Sequence, residues 1–145
     1  MAKANFDFVA TWCGGVSGEG KIGARNFELG IAIPEAFGGS GEGASPKDLF
    51  AAATAACLLS TLRVISEKRA LPVKGLSIKT SGESDEGGFH IKHDVDIELD
   101  GHATSQDVET TKQMITSADR SCTIGNMARK AGVLIEVQQN IKVMS

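Results

Sequence analysis

The chain lacks a basic run, a leader-like apolar segment and a CxxC pair, and each absence removes a class of function. Fifteen Lys and Arg against 18 Asp and Glu give a formal charge of −3, the wrong sign for a nucleic-acid or polyanion partner. The opening residues MAKANFDFVATW hold neither an apolar h-region nor a small-residue cleavage site, so a secretory signal is not expected. No apolar run reads as approaching the ~20 residues of a membrane span, so a membrane is not expected as a partner. These absences point to the cytoplasm, where cysteines are more often reduced, catalytic or metal-bound than paired in standing disulfides. The three cysteines, Cys13, Cys57 and Cys122, and the three histidines, His90, His93 and His102, complete no zinc pattern. Neither a metal nor another cofactor is expected. No repeat or low-complexity tract breaks the chain. Its 145 residues, 41% hydrophobic and 23% charged, fit one domain over 1–145 with room for a core.

Hydrophobic periodicity gives the order of elements. Phe6, Phe8, Ala10 and Trp12 alternate with Asn5, Asp7 and Thr11, which predicts a half-buried strand ending in a turn at Cys13-Gly14-Gly15. A second strand is expected from about Lys21 to Ile33, with Phe27, Leu29, Ile31 and Ile33 on its apolar face and Arg25 at the same parity. A glycine-rich loop follows from Pro34 to Ala44. Ser45 as N-cap, Pro46 at the first helical position and Asp48 three residues after the cap then mark a helix start. That helix should run to about Arg69 and stop before Pro72. Its body, AAATAACLLSTL, is nearly uncharged, the pattern of a helix buried on all sides.

Beyond it, Leu76 and Ile78 alternate with Ser77 and Lys79. After a turn at residues 84–88, Phe89, Ile91, Val95, Ile97 and Leu99 share one parity with His93. These two segments predict a hairpin. Thr104-Ser105-Gln106-Asp107 resembles a capping box opening a helix to about Ser117. A short helix from about Cys122 to Ala131, ended by Gly132, and a final strand over Val133 to Val143 complete an α+β domain.

The chemistry available is that of thiols. A thiol attacks peroxide as its thiolate, so its acidity must be raised by a nearby cation or a helix N-terminus. The sulfenic acid that forms can be captured by a second cysteine. A cysteine inside an apolar helix, such as Cys57, is commonly a small core hydrophobe. Cys122, at the start of a helix, lies where the dipole favours a thiolate. Cys13, in a turn, reads as incidental. His93, on an apolar strand face, reads as a core histidine.

The run Ser45-Pro46-Lys47-Asp48-Leu49-Phe50-Ala51-Ala52-Ala53-Thr54-Ala55-Ala56-Cys57 resembles the signature of the OsmC/Ohr proteins. In that family a Gly-rich loop leads into a helix whose alanine-rich body ends at the peroxidatic cysteine. Gly38-Gly39-Ser40-Gly41-Glu42-Gly43 fits the loop, and the 65 positions between Cys57 and Cys122 (122 − 57) fit the family's spacing. The order of elements agrees along essentially the whole chain. The resemblance implies an intertwined homodimer, with antiparallel sheets wrapped around two central helices. It implies that Cys57 attacks an organic hydroperoxide, that Cys122 resolves it, and that a lipoyl-type dithiol recycles the pair, in the response to oxidative stress.

The sequence also departs from the family pattern. Lys47 stands where the family's peroxidases place a glutamate, ten residues before the cysteine. Val16 and Phe37 stand where its two branches place the partner arginine, and Cys122-Thr123-Ile124-Gly125 replaces Cys-Pro-x-Ser. Arg25, Lys47 and Asp48 are the remaining candidates for activating the thiolate, Asp48 as a capping residue first. The lost Arg–Glu pair leaves an alternative: an OsmC-like redox sensor or small-molecule binder with little peroxidase activity. A dimer with inert buried cysteines is the third reading.

Overall fold

The structure, a computed structural model, describes residues 3–145 and falls into two compact units that divide after Phe50. The first unit carries a three-stranded antiparallel sheet in the order β1 (Val9–Cys13), β2 (Glu19–Gly23) and β3 (Glu28–Ile31). Its first strand starts at Val9, three residues later than the alternation predicts. The expected long strand over 21–33 is instead two strands folded back on each other. Arg25 and Asn26 form the turn, closed by the Ala24 N–H donating to the Phe27 carbonyl at 2.9 Å. This turn holds no glycine, so the residue type that marks most tight turns was missing from the signal.

The glycine-rich loop is ordered by the backbone. The Ala32 N–H donates to the Ala44 carbonyl and the Ala44 N–H to the Gly30 carbonyl, which ties residue 44 beside β3. A Cβ on Gly39 would collide with the Ile33 carbonyl, and one on Gly43 would lie 2.8 Å from the Ile31 carbonyl carbon. No larger residue fits either position.

Helix α1 (Pro46–Lys68) starts where its sequence says it should. The Ser45 N–H donates to the Asp48 carboxylate at 2.9 Å, and the Asp48 N–H donates to Ser45 Oγ at 3.2 Å, a reciprocal cap. The helix ends with Leu71 N–H donating to the Ser66 carbonyl and Ala70 N–H to the Glu67 carbonyl. Ala70 holds the left-handed conformation there, with φ 52°, a place usually taken by glycine.

In the second unit, β4 (Val73–Asp85) and β5 (Gly88–Leu99) form the expected hairpin, in a register that pairs Thr80 with His93. β5 continues through α2 (Ser105–Ser121) and α3 (Thr123–Lys130) to β6 (Leu134–Val143), which lies parallel to β5. Thr104 and Asp107 form the capping box of α2. That helix runs four residues past the expected end, as far as the cysteine corner. Gly132 takes a left-handed φ of 92° after α3.

The core of this unit joins Leu58 and Leu62 of α1, Val95, Ile97 and Leu99 of β5, and Met114, Ile115, Ala118 and Cys122 from α2 and its end. α1 buries only the i, i+4 stripe of Thr54, Leu58, Leu62 and Ser66. Ala52, Ala53, Ala56 and Val64 are exposed, so one chain does not bury the helix on all sides as its composition led one to expect. By length and composition α1 also meets the requirement for a membrane span, against the sequence expectation. Its Leu58 and Leu62 are nonetheless fully buried in the protein's own core.

Candidate functional site

The second unit brings Cys57 and Cys122 together. Cys57 sits three turns into α1, half-buried, on the edge of the buried stripe. Cys122 ends α2 and is the N-cap of α3, and it is buried. At this corner the chain leaves the helical region, with Cys122 at φ −68° and ψ 105°, then re-enters it at Thr123. Neither cysteine is in a disulfide.

The two thiols are unequal. The Cys122 side chain and the Cys57 side chain are hydrogen-bonded, with Cys122 as the donor to the Cys57 sulfur. Burial alone would push the Cys57 thiol up. The backbone N–H of Ile124, the Cys122 thiol and the backbone N–H of Thr123 outweigh it, and the Cys57 pKa is lowered from its ordinary value, while the nearby Thr61 hydroxyl donates to the Cys57 carbonyl at 2.8 Å. Cys122 moves the other way, pushed up to about 11 by burial first and then by its hydrogen bond to Cys57. The Gly125 N–H offsets part of this, while the charges of Cys57 and Asp119 add to it. The pair is therefore unequal, with Cys57 the more acidic thiol and Cys122 the less acidic one, the division that a nucleophile and a second, initially protonated thiol require.

Thr123 and Ile124 are the first residues of α3, so Cys57 occupies the N-terminus of a helix that belongs to a different element. Sequence reasoning placed this helix start correctly but gave its dipole to Cys122. Thr123 and Ile124 were missed as stabilising residues. Both act through the backbone, which leaves no mark in the residue type. A Cβ on Gly125 would sit 3.2 Å from Cys122 Sγ, so a small residue is needed under the buried thiol.

The proposed activating residues are placed as follows. Arg25 is exposed in the β2–β3 turn, not on an apolar strand face as its parity suggested. Lys47 is exposed in the first turn of α1. The Asp48 carboxylate accepts from the Ser45 N–H and Ser45 Oγ, and these bonds hold it below the usual carboxylate range. All three belong to the first unit.

His93 is a satisfied core histidine. Its Nδ1 lies 2.8 Å from Thr80 Oγ1 and its Nε2 3.2 Å from Thr54 Oγ1. Thr54 Oγ1 donates to the Ala51 carbonyl at 2.7 Å, which leaves it to accept from an Nε2–H and assigns the neutral tautomer. Burial lowers the His93 pKa, consistent with a neutral ring.

Residues 39–138 match the sequence model of the OsmC-like protein family. The chain belongs to that family. Among curated relatives, it is 28% identical to the uncharacterized protein YmaD of Bacillus subtilis, over 99% of this chain and 98% of that one. It is 27% identical to the organic hydroperoxide resistance protein of Xanthomonas axonopodis pv. citri, over 83% and 84% of the two chains. The fold matches the crystal structure of an OsmC-like protein from Mycoplasma pneumoniae with a TM-score of 0.77 and 15% identity, over 97% of this chain and 99% of that one.

Proposed function

We propose that the chain is a cysteine-based peroxidase that reduces organic hydroperoxides, with Cys57 attacking and Cys122 resolving. The observation that carries this reading is the asymmetric thiol pair: a stabilised Cys57 sulfur that accepts a hydrogen bond from a protonated Cys122. The relatives named for organic hydroperoxide resistance support a redox role of this kind.

In this reading the Cys57 thiolate attacks the terminal oxygen of ROOH. The O–O bond breaks, Cys57 becomes a sulfenic acid, and RO⁻ leaves and takes a proton to give the alcohol. The Cys122 proton is a nearby source for it. The resulting Cys122 thiolate attacks the Cys57 sulfur, forms the disulfide and expels hydroxide. A dithiol of the lipoyl type then reduces the disulfide by exchange. The backbone N–H groups at Cys57 take the place of the family's Arg–Glu pair, with Arg25, Lys47 and Asp48 as further contributors to be tested.

The exposed alanine face of α1 supports a homodimer in which a second copy covers that face, with the chain working in the cytoplasm. Light scattering on a sizing column should then give twice the 15.2 kDa of one chain. Lys47, at the family's glutamate position, favours the second reading, a redox sensor or small-molecule binder with weak peroxide turnover. Steady-state consumption of cumene hydroperoxide with dihydrolipoamide separates the two. Wild type should turn over, Cys57→Ser should not, and Cys122→Ser should stop after one equivalent. A wild type no faster than Cys57→Ser refutes the peroxidase.

A further inference from the structure

The cysteine site depends on where α3 sits, because the Thr123 and Ile124 N–H groups reach Cys57 only from the start of that helix. α3 has eight residues, too few to be stable alone. Its buried residues are Gly125 and Ala128, which are too small to bury much apolar surface. Ile124 and Met127 are exposed. Polar ties must therefore do much of the holding.

One of these ties is the Asn126 side chain, which donates to the Arg120 carbonyl at 2.8 Å. Another comes from Arg129, in the last turn of α3. Its Nη2 donates to Asp119 Oδ1 at 3.0 Å, to Asp119 Oδ2 at 3.2 Å and to the Ile135 carbonyl at 3.3 Å. This one guanidinium links α3 to α2 and to β6. Asp119 lies at the other end of the same corner: its carbonyl accepts from the Cys122 N–H at 3.4 Å. The side chains are about 30% exposed, 32% for Arg129 and 29% for Asp119, so the pair is only partly screened by water.

We propose that Arg129 is a positioning residue of the cysteine site, and that its clamp on Asp119 and the Ile135 carbonyl holds the N-terminus of α3 against the Cys57 sulfur. The inference rests on Cys57 being the reactive thiol, not on peroxide being its substrate. Arg129 touches neither sulfur among its described contacts and acts through the helix it anchors.

The test measures the pH dependence of Cys57 alkylation by iodoacetamide, peptide by peptide, in otherwise wild-type protein. Arg129→Met and Asp119→Asn should each slow Cys57 labelling at pH 7 by about threefold to tenfold, as its titration midpoint rises by about half a unit to one unit. Arg129→Lys, which keeps the charge and one contact to Asp119, should lie between them and wild type. The exposed Lys130→Met serves as control and should titrate like wild type. Asp119→Asn separates positioning from direct charge. Removing an anion near a thiolate should by itself lower the midpoint, whereas releasing α3 raises it. A Cys57 midpoint that is unchanged or lowered in Asp119→Asn overturns the proposal, and so does an unchanged midpoint in Arg129→Met. If Arg129→Met fails to fold by circular dichroism, Asp119→Asn alone decides. A wild type inert to peroxide would remove the peroxidase reading and leave these midpoints untouched.

Discussion

At neutral pH Cys122 should react about 100-fold more slowly than a thiol of ordinary acidity. Its pKa is pushed up to about 11 from an ordinary value of 9.0, and two units correspond to a factor of about 100 in thiolate. Burial slows it further, since Cys122 is only 3% exposed. Part of the shift comes from Cys57, through the hydrogen bond and the charge on its sulfur. Cys57→Ala removes both and leaves burial, so the Cys122 midpoint should fall toward 9.0. The converse change, Cys122→Ala, removes a donor to the Cys57 thiolate, so the Cys57 midpoint should rise. Pulsed iodoacetamide between pH 6 and pH 11, read by peptide mass spectrometry, follows both sites at once. Exposed Cys13 supplies an internal accessible thiol. The reasoning fails if Cys122 titrates identically with and without Cys57, or if Cys57 is indifferent to the loss of Cys122.

His93 should make the fold acid-sensitive. Its folded pKa lies below 6.5, so the unfolded chain binds the proton more readily. Its contribution is present above about 6.5 and is lost as pH falls below that value. Urea midpoints at pH 7.5 and 5.5 should differ less in His93→Gln than in wild type. Asp119 and Arg129 are the charges that act on the ring, in opposite senses. Ala70→Gly should stabilise by about 0.5–1 kcal/mol, because glycine accepts the left-handed φ of 52° that strains alanine; thermal melts check this. Leu62→Ala should cost about 2–5 kcal/mol in urea unfolding, since Leu62 is completely buried against β5 and α2.

Much of the fold was legible where side chains carry the signal. Ser45, Pro46 and Asp48 announce α1 through the atoms that cap it. The strict alternation from Phe89 to Leu99 matches the buried face of β5, His93 included. The family signature led to Cys57, and spacing led to Cys122. Three features were hidden. The β2–β3 turn at Arg25 has no glycine, so the apolar parity read straight through it. Alternation identifies β6 as a strand but not its parallel pairing with β5, which follows from the two helices between them. Part of the stabilisation of Cys57 comes from the main-chain N–H groups of Ile124 and Thr123, and a backbone donor looks the same under any side chain. The cations that residue types do advertise, Arg25 and Lys47, lie in the other unit, as does the capping carboxylate of Asp48.

The central claim is that Cys57 and Cys122 act on each other. One equivalent of cumene hydroperoxide added to the fully reduced protein, followed by blocking of free thiols and peptide mass spectrometry, tests it most directly. The account predicts one intramolecular Cys57–Cys122 disulfide, with Cys13 still free. Recovery of both thiols unreacted, or of Cys57 trapped as the sulfenic acid with Cys122 still reduced, would contradict it.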